Sequence, residues 1–161
     1  MSAQKVLQLT KYAKQKYHVT EPVDFKLAVD YSAILLAIAG ADGELAPDEM
    51  QWYLDEQELL FVDPAEYLQA IRNIDWRSVN LEEALNAMNY NIPLNFQRTV
   101  MYQAIKMCRA DKEYHEDEKA AVNKTAQILG IARDVVVELE SIAELEDTTN
   151  RLRCSVLGAN V

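Results

Sequence analysis

Glycine and proline are scarce, four of each in 161 residues, and cysteine, histidine and tryptophan appear twice each. So few turn-formers leave little room for a loop-rich sandwich, for collagen-like repeats or for a flexible linker. Two distant cysteines, Cys108 and Cys154, with no CxxC spacing, exclude a disulfide framework and a zinc-ribbon pattern, and read as free thiols of a reducing compartment. Basic residues are outnumbered, 16 Lys+Arg against 26 Asp+Glu, for a formal charge of −10. Nucleic-acid affinity rests on cations that neutralise phosphates, so nucleic acid is excluded as the main ligand. The longest apolar run, Ala33 to Ala41, is about half of what a bilayer-spanning helix requires, and MSAQKVLQLT lacks the apolar centre of a secretory signal. The expected location is cytoplasmic.

What is present is half apolar and a quarter charged, the profile of a folded globular chain. A chain of this length suits one domain that buries roughly 70% of its unfolded surface. Ala, Leu, Glu, Gln and Lys dominate, and apolar residues recur at helical spacing. The pattern predicts helices over 3–16, 22–40, 47–60, 64–74, 79–89, 94–110, 116–128 and 133–156, with no strand. Pro22, Pro47, Pro64 and Pro93 each open a segment, with Thr20 or Glu21 and Asp63 as candidate N-caps. Segments 22–40 and 94–110 are apolar around most of their circumference and are the expected central helices. The fold class is all-α: a single bundle of seven to eight helices.

The chain repeats itself. A shift of 69 residues lays Ala41-Asp42-Gly43-Glu44-Leu45 on Ala110-Asp111-Lys112-Glu113-Tyr114, Asp48-Glu49 on Asp117-Glu118, and Leu59-Leu60 on Ile128-Leu129. The duplication covers about 33–71 and 102–140: central helix, acidic corner, second helix. An EF-hand reading of these corners fails, because loop positions 1 and 3 fall on Ile38 and Gly40, and on Met107 and Arg109.

The doubled corner, A-D-(G/K)-E-hydrophobic followed by Asp-Glu, resembles the TerB-like tellurite-resistance family, whose hallmark is such a corner in each half of a duplicated all-helical domain. The resemblance spans about residues 25–140. It implies a stress-response role and metal-chelating acids, which fall on Asp42, Glu49, Asp111 and Glu118, with Glu44, Asp48, Glu113 and Asp117 as additional candidates. The implied ion is a divalent cation, Ca²⁺, Mg²⁺, Mn²⁺ or Zn²⁺. Lys112 departs from the pattern by setting a cation beside Asp111.

A second reading of the same acids stands beside it. Glu49 and Glu118 fall at N3 of their helices, where Glu completes a capping box, and Asp42 and Asp111 suit Asx turns. Ala46 and His115 hold the N-cap positions, so each box is at best half made. On this reading the chain is a structural interaction domain whose corners only cap helices.

No HExxH, GxGxxG, GxxxxGK[ST] or nucleophile–His motif is present, so an enzyme is not expected. His115 beside Glu113, Glu116 and Asp117 is a capping histidine or a soft-metal ligand, and His18 carries no motif. Residues 1–20 hold Lys5, Lys11, Lys14 and Lys16 and no acid. This basic segment, about residues 2–19, either rests on an anionic membrane surface or, the favoured reading, packs on the chain's own acidic final helix. A protein partner is expected for the acidic surface, and a homodimer is left open. Trp52, Tyr53, Tyr67 and Trp76 are read as helix-face residues without a site.

Overall fold

A computed structural model describes residues 5–88 and 95–158. Among them, eight α-helices follow one another: α1 (Lys11–Tyr17), α2 (Phe25–Ala39), α3 (Pro47–Leu60), α4 (Ala65–Arg72), α5 (Leu81–Ala87), α6 (Phe96–Cys108), α7 (Glu116–Leu129) and α8 (Arg133–Val156). The fold class is all-α, as the composition predicts. Helices α2 and α6 pack on each other at the centre. Ile34, Leu35, Leu36 and Ile38 of one and Val100, Met101, Ala104 and Ile105 of the other are fully buried.

The N-terminal segment departs from its expected helix over 3–16. Val6–Leu7 (β1) pairs antiparallel with Val23–Asp24 (β2), where no strand was expected. The Thr10 and Val62 amides bond the carbonyls of Leu60 and Gln8 at 3.0 and 2.9 Å, which ties residues 8–10 to the end of α3. Leu7 is buried against Val6 exposed, a two-residue alternation that suits an extended chain and not a helix turn. Helix α1 starts only at Lys11, behind Thr10, whose Oγ1 caps the Ala13 amide at 3.2 Å.

Pairing of β2 likewise delays α2 to Phe25. Its cap is Asp24, accepting from the Leu27 amide at 2.9 Å, and not Thr20 or Glu21. Asp63 is not a cap either: it takes a left-handed φ of 50°, and Pro64 holds the N-cap position of α4. Asn80 and Asn95 cap α5 and α6 and trim the expected 79–89 and 94–110. Pro93 lies outside the described residues.

The basic segment does pack on the domain, but on different partners from the final helix. Lys16 pairs with Glu56 of α3 at 3.0 Å, and the buried Glu56 also accepts from Tyr12 and Tyr17 at 3.1 and 2.8 Å. Lys5 pairs with Glu66 of α4. The acids of α8 are held by α6: Asp147 by Lys106 at 2.8 Å and Arg109 at 3.0 Å, and Glu146 by the Tyr102 hydroxyl at 2.8 Å. No helix among the described residues is long and apolar enough to cross a membrane.

Candidate metal centre

The two corners are built alike. In the first, the Asp42 carboxylate accepts from the Glu44 amide at 3.0 Å, and Gly43 takes a left-handed φ of 93°. In the second, Asp111 accepts from the Glu113 amide at 2.9 Å, and Lys112 takes the left-handed place at φ 68°. Each Asx turn feeds a helix whose N3 glutamate folds back: Glu49 Oε1 accepts from the Ala46 amide at 2.9 Å, and Glu118 Oε1 from the His115 amide at 3.1 Å. Ala46 has no side-chain acceptor and His115 makes no side-chain cap bond, so each box is formed by its glutamate half alone.

The second oxygens lead elsewhere. Glu49 and Glu118 are 1% and 0% exposed, and the Oε2 of each has no hydrogen-bonding partner. Helices α3 and α7 aim these carboxyls at each other, so the corners meet. A carboxylate oxygen of Glu118 lies within 4.8 Å of one of Glu49. Burial pushes the Glu49 carboxyl up to about 9; the bond with Glu118 and the charges of Glu118 and Asp111 push the same way, and the Ala46 amide pulls against them. Two carboxyls sharing a dry site do not both ionise without a cation between them.

Cys108, at the end of α6, completes this interior group: its Sγ and carboxylate oxygens of Glu49 and Glu118 all lie within 4.8 Å of one another. Burial first, then the nearby Glu118 and Glu49, pushes the thiol well above its ordinary range. Glu118 also belongs to a second group, with Asp42 and His115, nearer the surface. There His115 Nε2 stands 3.8 Å from Asp42 Oδ2 and 3.1 Å from Glu113 Oε2.

Of the four acids that the resemblance implies, Asp42, Glu49 and Glu118 are thus linked through Glu118. Asp111 falls in a third group, with Glu113 and His115, which shares His115 with the second. Glu44, Asp48 and Asp117 are exposed and enter no such group among the described residues. Cys108 was read from the sequence only as a free thiol. No motif marks it: under the 69-residue shift Cys108 stands where the first half has Ala39, and His115 where it has Ala46.

No protein-family model matches the sequence, and no curated protein matches it. Among solved structures, the chain is similar to a tellurite resistance protein from Nostoc punctiforme, with a TM-score of 0.72 and 25% identity over 91% of this chain and 89% of that one. A shared fold over nearly the whole of both chains, together with the doubled acidic corner, identifies the architecture: this chain has the TerB-like fold of tellurite-resistance proteins.

Proposed function

We propose that this chain is a non-catalytic stress-response module that binds a divalent cation where its two corners meet. The observation that carries this is the pair of buried, unpartnered Oε2 atoms on Glu49 and Glu118, on carboxyls that approach within 4.8 Å of each other. A capping glutamate needs only one oxygen for its task, and Oε1 performs it in both corners. Burying the other oxygen unpaired costs about 1–3 kcal/mol, more when charged. A cation recovers that cost by bonding both oxygens at once. The same fold in a tellurite resistance protein supports placing the chain in a metal- or oxyanion-stress response.

Thermal denaturation of the chelator-treated protein, repeated with each of Ca²⁺, Mg²⁺, Mn²⁺ and Zn²⁺, tests the reading. An ion at 100 times its Kd adds about 2.7 kcal/mol. At 2–4 °C per kcal/mol for a domain of this size, that is a rise of about 5–10 °C. Glu49→Gln and Glu118→Gln should each abolish it. No rise with any of the four ions refutes the proposal.

The capping bonds favour a second reading, in which the corners serve only to end helices and the acidic surface docks a basic partner. It predicts that the two carboxyls share a proton and that no ion changes the melting temperature.

A further inference from the structure

The interior group differs from an all-oxygen cage in one atom, and that atom decides which cations fit. Of the four oxygens on Glu49 and Glu118, both Oε1 atoms are committed to backbone amides, at 2.9 and 3.1 Å. Two oxygens are left, and the third donor within reach is the Cys108 sulfur. Ca²⁺ takes six to eight oxygens, and Mg²⁺ keeps several waters because it dehydrates reluctantly. Glu49, Glu118 and Cys108 are 0–1% exposed, which disfavours a hydrated ion, and the further carboxylate near Glu118, that of Asp42, groups with His115 and not with Cys108. A thiol beside two carboxylates is instead a donor set for a borderline ion that accepts four ligands or fewer from mixed sulfur and oxygen.

Resting on the cation reading above, we infer that the site is selective for zinc-class ions (Zn²⁺, Co²⁺), with Cys108 Sγ, Glu49 Oε2 and Glu118 Oε2 as its ligands. On binding, the Cys108 S–H bond breaks and its proton leaves to solvent as the sulfur–metal bond forms. Glu118 also meets Asp42 and His115, whose ligand atoms lie within 4.8 Å of one of its oxygens, so the neighbouring donors on that side are a carboxylate and an imidazole. Ligands at 2.0–2.3 Å from a tetrahedral ion lie roughly 3.5 Å apart. Donors already within 4.8 Å of one another need close in by no more than about 1.3 Å.

Cobalt makes the sulfur visible. The reduced, chelator-treated full chain, titrated with Co²⁺, should develop a near-ultraviolet thiolate-to-cobalt charge-transfer band together with the visible bands of a tetrahedral ion. Zn²⁺ should erase both at one equivalent, and Ca²⁺ in large excess should not. Cys154→Ala should keep the charge-transfer band. Cys108→Ala should lose it and bind Zn²⁺ about 100-fold or more weakly, a larger loss than the removal of an outer hydrogen-bond partner causes. If Cys108→Ala does not melt cooperatively, the band in Cys154→Ala, which has Cys108 as its sole thiol, settles the assignment. Cobalt bound without the band, or calcium competing on equal terms, overturns the inference and leaves an oxygen-only cation site. Failure of every ion to bind overturns the cation reading itself.

Discussion

Replacing Glu49 by Gln in the metal-free protein isolates the carboxyl pair. The amide keeps Oε1 for the Ala46 N–H, which sits at 2.9 Å, and its new N–H₂ donates to the free Oε2 of Glu118. The substitution therefore supplies permanently the hydrogen that the wild-type pair must hold as a proton. With the Glu49 carboxyl raised to about 9 in the folded protein, against about 4.5 when unfolded, the folded state carries one proton more than the unfolded state between those values. Its stabilising effect is complete below pH 4.5 and is lost as pH rises towards 9. The slope is at most about 1.4 kcal/mol per pH unit. From pH 6 to pH 8 the wild type should lose up to about 2.7 kcal/mol through this pair, or roughly 5–10 °C of melting temperature. Glu49→Gln should lose none of it, so the two melting curves should diverge with rising pH in the presence of a chelator. All other ionisable groups are common to the two proteins, so the difference between the curves belongs to Glu49. Melting temperatures that fall in parallel would show that the two carboxyls are not coupled, and would refute the reading of the site.

Three further perturbations probe the frame around the site. Lys112 holds the left-handed position that Gly43 holds in the first corner. Lys112→Gly relieves about 1–2 kcal/mol of backbone strain against a smaller entropic loss, so urea titration should show a gain of about 0.5–1 kcal/mol. Gly40 ends α2 against the Trp76 ring, and a methyl there would stand 2.3 Å from Trp76 Cζ3. Gly40→Ala should cost about 1–3 kcal/mol in denaturant unfolding, and much less when made together with Trp76→Ala. Lys16→Met leaves Glu56 buried with only tyrosine hydroxyls, and should cost about 2 kcal/mol after discounting the partial exposure of the lysine. Lys11→Met and Lys14→Met, both on exposed positions, should change the same unfolding curve little.

The helices were legible because their signals are local. Pro47 at the first position of α3, and the apolar circumference of residues 22–40 and 94–110, each act within one segment. The two-residue strands were not legible. Val6–Leu7 is extended because Val23–Asp24 lies beside it and the end of α3 holds residues 8–10, and pairing between distant segments leaves no local periodicity. The same limit governs the ion pairs. The N-terminal lysines were expected to face the acids of α8, but Asp147 is held by Lys106 and Arg109, Glu146 by Tyr102, and Lys16 pairs with Glu56 of α3. At the site, the repeat pointed to the glutamates, since one motif at a fixed offset marks both. It could not tell a capping oxygen from a free one, because that depends on where α3 and α7 aim their first turns. Cys108 lay outside the motif and entered the group only through the path of α6.

Two like corners that meet through their N3 glutamates invite comparison with two identical subunits sharing one junction. Were the halves separate and identical, any ion between them would see the same side chains from both directions. Joining the two copies in one chain removes that obligation. Ala39 and Cys108 are equivalent positions, both fully buried, and Ala46 and His115 are equivalent N-caps, yet one side has become chemically inert while the other has acquired sulfur and imidazole. Duplication within one chain thus lets a junction of two like corners become sided, with sulfur and imidazole on one side only.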